Sequence, residues 1–420
     1  MDSPVVVVVD PYSSGKLLAA ALRRAGFSVV AVITGSSVCD FYASGFAESD
    51  FDDCLYCASV TPDFADRVRS LNPVAVLPGV EMGVALADVL AAELTPHLAN
   101  EAGLSSARQH KGAMVEALAA HRLEVIRTLC TSDPDKVAAW LEEQGLRGRD
   151  LVVKPAESAG TDGVTLVVGG IEWRRAFDKV LSSVNYLGRP NEEVIVQEYV
   201  VGTEYVVNTF SVDGRHSVTD ISRYGKVSVG GRMAVYESLE YLPYDEPGHA
   251  KLIDYTQRAL DALGVRFGPA HTEVMVTERG PVLIESGARL GGGGMPLSAR
   301  MATGDNGIGR LVRFLECGEF EYGGYAFEKS VRIVFLMSSA TGVIRNASLY
   351  QEIADLCSCD SLRVSVQDGD LVRASVNFFD SFAFGFAVLA HPDPRQVRHD
   401  YEVIRRLEKR IVIDPPPESS

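Results

Sequence analysis

The stretch "HTEVMVTERGPVLIES" carries two glutamates, Glu273 and Glu285, whose spacing could bring them together. It reads as two strands joined at "TERGP". With the turn centred on Arg279, the two carboxylates fall directly opposite one another. The two-residue period of a strand puts both on one face of the sheet. Met275 and Leu283 share that face, and Val274, Val282 and Ile284 take the other. Facing carboxylates repel and need a counter-charge. Mg²⁺ carrying phosphates is a natural one, because it takes carboxylate oxygens at octahedral geometry, and Mn²⁺ suits the same oxygens. Arg289 is an alternative counter-charge, and it could equally neutralise a phosphate or a substrate carboxylate.

The run Gly291–Gly294 in "GARLGGGGMP" follows directly. Glycines are costly to order, so such a run suits close approach to a ligand; the other reading is a loose loop. Upstream, Lys154 closes the apolar run "LVVK" before Pro155, at the place where a strand end overhangs a cleft. In "ESAGTDGV", Ser158, Gly160, Thr161 and Gly163 could wrap phosphate oxygens with backbone amides. A hairpin turn with a solvated lysine fits the same residues equally well.

At the N-terminus, "VVVVVDPYSSGKLLAAAL" has the outline of a phosphate loop. The spacing rejects it. Asp10 stands where the first glycine is required, and Leu17 follows Gly15-Lys16 where Ser or Thr is required. The G-x-G-x-x-G fingerprint is missing too, which disfavours a dinucleotide oxidoreductase. A strand-to-helix turn remains, with amides at Ser13, Ser14 and Gly15 able to meet an anion.

These residues need elements to hold them. Unbroken apolar strands alternate with helical patterns over residues 1–100, which predicts a parallel α/β sheet. From Ser105, "SSARQHKGAMVEALAAHRL" reads as one helix with Ser105 or Ser106 as its cap. The middle of the chain has antiparallel character. Further on, "VRIVFLM" and "ASVNFFDSFAFGFAVLA" read as strands and "DYEVIRRLEKR" as a helix. The expected domains are 1–100, 101–200 and 201–410, followed by a frayed tail over 411–420.

The 420 residues carry a net charge of −16, which repels nucleic acid and anionic membrane over most of the surface. No apolar run reaches the length of a membrane span. Seven cysteines, without metal-ligand spacing, suit a reducing, cytoplasmic compartment. "CLYC" and "CSC" read as ordinary thiols. A homodimer is the expected assembly.

Taken as an ensemble, these motifs resemble an ATP-grasp ligase over most of residues 1–315. The resemblance implies an N-terminal Rossmann-like, parallel-sheet domain followed by two lobes that clamp ATP. It implies a reaction joining a carboxylate to an amine through an acyl phosphate, with release of ADP. "HKGAM" resembles the segment supplying a first ATP-contacting lysine, Lys111, and "VVKP" the second, Lys154. "ESAGTDGV" resembles the mobile loop over the phosphates. "QEYVVGTEY" resembles the hinge: Gln197 or Glu198 near the adenine amino group, Tyr199 and Val200 at the hinge, Glu204 at the ribose.

By the same resemblance, Glu273 and Glu285 are the metal carboxylates, and Arg289 lies near the transferred phosphoryl group. His271 stands where the family often has a histidine; it is a candidate general base, or a support for a metal carboxylate. One departure stands out: Gly287 replaces the asparagine common two residues after the second metal glutamate. This variant, with "DPYSSG" and "LPGVEMGVALADVLAAEL", is similar to the L-amino-acid ligase branch, which makes dipeptides. The expected substrate wall comprises Ser14, Gly15, Glu81, Gly292 and Gly293. Arg332 is a further candidate for a substrate carboxylate, against a reading as a surface strand arginine. A different carboxylate or amine, such as one of the purine pathway, and a non-catalytic nucleotide-binding protein are the rival readings.

Overall fold

The computed structural model describes residues 3–35, 45–57, 61–158, 160–186, 188–229, 232–375 and 378–416. The chain separates into two compact units. The first comprises 1–220, 245–297 and 305–325; the second comprises 221–244, 298–304 and 326–420.

The first unit opens with strands β1 (Val5–Val9), β2 (Ser28–Ile33), β3 (Asp53–Tyr56) and β4 (Pro73–Pro78). They form a parallel sheet in the order β3-β2-β1-β4. The valine run is apolar at every position because both faces are covered. Val6 and Val8 pack with Leu18 and Leu22 of the helix Lys16–Arg24. Val7 and Val9 pack with Leu86 and Leu90 of the helix Val84–Leu94. Each buried valine contributes roughly 1.5–3 kcal/mol.

Next come β5 (Thr128–Thr131), β6 (Leu151–Pro155), β7 (Thr165–Val167) and β8 (Val194–Glu198), antiparallel in the order β5-β8-β6-β7. Helices Pro134–Glu143 and Trp173–Leu181 cover this sheet through Val137, Leu141, Phe177 and Val180. The helix expected from Ser105 begins later. Ser106–Arg108 is a short 3-10 turn, and the α-helix runs Lys111–Ala120, capped by His110, whose ring nitrogen accepts from Ala113 N–H. The histidine supplies the cap that serine was expected to supply, and this puts Lys111 in the first helical position.

Strand β9 (Gly202–Val212) turns through Asp213-Gly214, both at positive φ, into β10 (Arg215–Val229). β12 (Gly268–Thr277) pairs antiparallel with β9 on one side and β13 (Gly280–Gly287) on the other.

In the second unit, β11 (Arg232–Leu242) pairs with β10 and with β14 (Ser330–Phe335). β14 pairs with β16 (Gly385–His391), and β16 with β15 (Cys359–Val364). The long strand expected over "ASVNFFDSFAFGFAVLA" is two elements: the helix Phe378–Phe384, then β16. Gly385, at φ +144, makes the break. Helix Pro394–Glu408 covers this sheet through Val397, Ile404 and Leu407. The tail is paired further than expected, since Ile413 pairs with Ile344 and Asp414 with Val343. Residues 417–420 of the expected frayed tail lie outside the described residues. Among the described residues no helix is long and apolar enough to cross a membrane.

Candidate active site

The hairpin β12–β13 places Glu273 opposite Glu285, as expected, by a different route. The turn is the two-residue Glu278-Arg279, with Thr277 paired to Gly280. That register alone would slide the glutamates out of alignment. A bulge between Glu273 and Val274 absorbs one residue at Ile284 and restores the pairing. In consequence Met275 pairs with Val282, and Val274 with Leu283, which corrects the expected faces.

Two lysines meet this carboxylate pair. Lys111 Nζ lies 3.3 Å from Glu285 Oε2 and donates to Ser158 O at 2.8 Å. The Lys111 amide is tied to Ala156 O, so the helix start is anchored beside the end of β6. Lys154, buried on β6, is pushed down to about 8, first by burial and then by Lys111. Glu285, Glu273 and Glu204 work the other way, so all three lie close enough to favour its charge. The carboxylate oxygens are donors that a divalent cation takes, and the lysines suit the phosphates it carries. Glu273 and Glu285 therefore fit Mg²⁺ or Mn²⁺.

Between β6 and β7 lies the loop with Ser158, Gly160, Thr161 and Gly163. Gly160, Thr161 and Gly163 all have positive φ. Ser158 Oγ donates to Asp162, which also receives Tyr186 N–H. The Thr161 hydroxyl is buried and has no hydrogen-bond partner among the described residues. Such an orphaned group in a loop rich in turned amides suits an anion above it.

A pocket opens between the helix Lys111–Ala120, the β5-β8-β6 sheet and β13. Met114, Val115, Leu118, Val125, Ile126, Ile195, Leu283 and Ile284 give it apolar walls; Lys111, Lys154, Thr128 and Gln197 add polar groups. Gln197 donates to Thr128 Oγ1 at 2.9 Å. Glu198 alternates to the other face of β8, where Arg127 and Arg279 hold its carboxylate. Burial alone would raise its pKa, but the two arginines hold it below the usual range. Strand alternation thus puts Gln197, and not Glu198, in the pocket lining. Tyr199 and Val200 form the half-buried turn into β9, with Tyr199 N–H taken by Asp150 O. The apolar walls carry no sequence signal of their own, because these residues have the pattern of ordinary core.

At the far end of β13, Arg289 Nε lies 2.8 Å from Glu81 Oε2, and Arg289 Nη1 donates to Leu290 O. Burial pushes the Glu81 carboxyl up, Arg289 pulls it down, and Glu285 pushes it up again. A Cβ on residue 287 would stand 2.8 Å from Glu81 Oε2, so the departure from asparagine at Gly287 makes room for this ion pair.

His271 Nδ1 is 2.8 Å from Asn208 Oδ1, and Asn208 Nδ2 donates to Asp220. The donation to Asp220 fixes the amide, so Nδ1–H is the donor to Asn208 and Nε2 faces Glu273 Oε1 at 3.6 Å.

The opening turn and the glycine run are joined. Gly293 N–H donates to Ser13 Oγ and Gly294 N–H to Ser14 Oγ, while Gly292 lies beside Ser13. Gly15 is a packing residue: any side chain there would collide with the backbone of Gly79. Arg332 belongs to the second unit. It is 12% exposed, pairs with Glu240 Oε2 at 2.7 Å and lies over the Tyr401 ring, so it is no surface arginine.

Residues 148–296 match the ATP-grasp domain family. Dapdiamide A synthase of Enterobacter agglomerans is 29% identical over 415 residues, 96% of each chain. The crystal structure of L-amino acid ligase from Bacillus licheniformis superposes with a TM-score of 0.75 at 19% identity, covering 99% of both chains. The phosphoribosylglycinamide synthetase structure from Anaerococcus prevotii gives 0.62 at 14% identity, covering 99% of this chain and 100% of that one. The facing carboxylates, Lys154 and the glycine loop all fall within residues 148–296, so the chain carries an ATP-grasp domain and is related to ligases of the L-amino-acid ligase branch.

Proposed function

We propose that the chain joins the carboxylate of one amino acid to the amine of a second L-amino acid, through an acyl phosphate. The observation that carries this reading is the Glu81–Arg289 ion pair beside the Glu285 end of the hairpin. A buried carboxylate next to a buried guanidinium matches an amino-acid zwitterion, ammonium to Glu81 and carboxylate to Arg289. The likeness to dapdiamide A synthase along nearly the whole chain and to an L-amino acid ligase structure supports the same substrate class.

The apolar pocket takes the adenine base, with Gln197 at its polar edge and Glu204 toward the ribose. Mg²⁺ or Mn²⁺ bound by Glu273 and Glu285 supplies charge neutralisation to the phosphates. Lys111 and Lys154 hold the phosphates, and Arg289 offsets charge on the phosphoryl group in transfer. A carboxylate oxygen of the first substrate attacks the γ-phosphorus and ADP leaves. The loop Ser158–Gly163 closes over the product of this step and excludes water, which would otherwise hydrolyse the acyl phosphate. The amine of the second substrate then attacks the acyl carbon, and phosphate leaves. His271 Nε2, bare in the neutral ring, receives the proton released by that amine. Ser14 and the glycine run wall the amino-acid side.

The test is ADP release screened over pairs of amino acids, with products identified by mass. Amino-acid-dependent ADP release with a dipeptide product is the expected result. ADP release only with other acids or amines overturns the amino-acid reading and keeps the ligase chemistry, and no release with any pair of acid and amine overturns both.

A further inference from the structure

A second cluster of potential ligands gathers at the start of the helix that Lys111 opens. His110 precedes the helix Lys111–Ala120, Cys130 sits on β5, and Glu193 immediately precedes β8. One ligand atom from each of the three side chains falls within 4.8 Å of the others. His110 Nε2 is 3.2 Å from Glu193 Oε2, and the Cys130 thiol donates to the same carboxylate. Gly112 makes this convergence possible. A Cβ there would stand 2.8 Å from Cys130 Cβ, 3.0 Å from its sulfur and 3.0 Å from His110 Cε1. The three groups are half-buried, so solvent reaches them.

We infer that His110, Cys130 and Glu193 form a site for a borderline-soft divalent cation of the Zn²⁺ class, and that filling it removes the His110 cap from the helix that starts at Lys111. An imidazole nitrogen, a thiolate and a carboxylate are a tetrahedral Zn²⁺ donor set with one position left for water. Hard cations such as Mg²⁺ avoid sulfur, so the site is chemically separate from Glu273 and Glu285.

The competition with the cap follows from the tautomer. His110 Nδ1 accepts from Ala113 N–H, so in the neutral ring the proton sits on Nε2 and points at Glu193. Coordination through Nε2 moves that proton, by exchange with solvent, to Nδ1. Nδ1 then stops accepting, and Ala113 N–H loses its partner. The Cys130 thiol proton goes to solvent, so one proton is released for each cation bound. Loss of the cap loosens the first turn, which carries Lys111, and so weakens ATP binding; this consequence rests on the proposed contact of Lys111 with nucleotide, and the site itself does not.

The full chain, free of nucleotide and Mg²⁺, is titrated with Co²⁺ and with Zn²⁺. Wild type is expected to show a thiolate-to-cobalt charge-transfer band, and Cys130→Ser to lose it, with Zn²⁺ affinity falling about tenfold or more. His110→Asn keeps a capping side chain and is expected to show a similar loss of Zn²⁺ affinity. The Ala113 amide is expected to exchange faster with Zn²⁺ in wild type and not in Cys130→Ser. Absence of the band in wild type, or an unchanged band and affinity in Cys130→Ser, overturns the site. An Ala113 amide indifferent to Zn²⁺ overturns the competition with the cap. ATP affinity with and without Zn²⁺, compared between wild type and Cys130→Ser, reads the coupling to Lys111 separately.

Discussion

Glu81 Oε2 occupies the space in which a side chain on residue 287 would begin: it lies 2.8 Å from the position of a Cβ at Gly287 and 2.8 Å from Arg289 Nε. The glycine and the ion pair therefore stand or fall together. Gly287→Asn is expected to displace Glu81 and lower kcat/KM for the acid substrate about 10²-fold, as small misplacements of positioning groups do. ATP binding should stay close to wild type. Steady-state kinetics with each substrate varied reads this; a variant with tighter Mg²⁺ and intact turnover would show that asparagine simply restores a missing metal donor.

Glu285→Ala removes one half of the facing carboxylate pair and the partner of Lys111. Turnover is expected to fall roughly 10²–10³-fold, the scale on which charge-stabilising groups act. Raising Mg²⁺ should recover part of it. Retained ligation at ordinary Mg²⁺ takes Glu285 out of the metal site.

Lys154 sets a pH dependence. Its folded value of about 8 lies below the ordinary 10.5, so folding disfavours its charge. That penalty on stability is full below about 8 and disappears as pH rises toward the unfolded value. Phosphate binding needs the charged form, so the sign for ATP is opposite. Affinity is expected to be highest below about pH 8 and to weaken toward tenfold per unit above it, until the raised pKa of the bound state is reached. Calorimetric titration across that range checks it. Lys154→Met should bind weakly and without this slope, and a slope that survives the substitution belongs to another group.

Ser14→Ala deletes the acceptor for Gly294 N–H. The glycine run then loses one of its two ties to the opening turn, the other being Ser13 to Gly293. KM for an amino-acid substrate is expected to rise several-fold, by about the worth of one hydrogen bond. ATP affinity measured alongside should not move. A change in ATP affinity instead would relocate this turn to the nucleotide side.

Arg108 is a test of stability without chemistry. Its guanidinium is buried, pairs with Asp88 Oδ2 at 2.8 Å and donates to the carbonyls of Leu263 and Glu101. Arg108→Ala leaves the buried Asp88 carboxylate without its charge partner, with the Ser105 hydroxyl still donating to it, which is expected to cost about 3–5 kcal/mol. Urea unfolding reads it, and a loss below about 1 kcal/mol would mean that water replaces the guanidinium.

What residue type and spacing alone determined is the local chemistry: the five valines as a parallel strand, the hairpin that carries one glutamate on each arm, and the lysine before a turned loop. Strand period, glycine content and charge are properties of neighbours in sequence, so they are legible without a fold. Partners distant in the chain were not. Arg289 finds Glu81, 208 positions away, and the Gly294 amide finds Ser14 from 280 positions away. The choice of Gln197 over Glu198 for the pocket also came from the fold, because Arg127 and Arg279 had to be in place to hold the glutamate. The bulge at Ile284 makes the same point: it corrects a register that counting residues matched by coincidence. Local pattern names the groups able to react; burial and long-range pairing decide which of them meet, because only the packed chain supplies the opposite charge that makes a buried one tolerable.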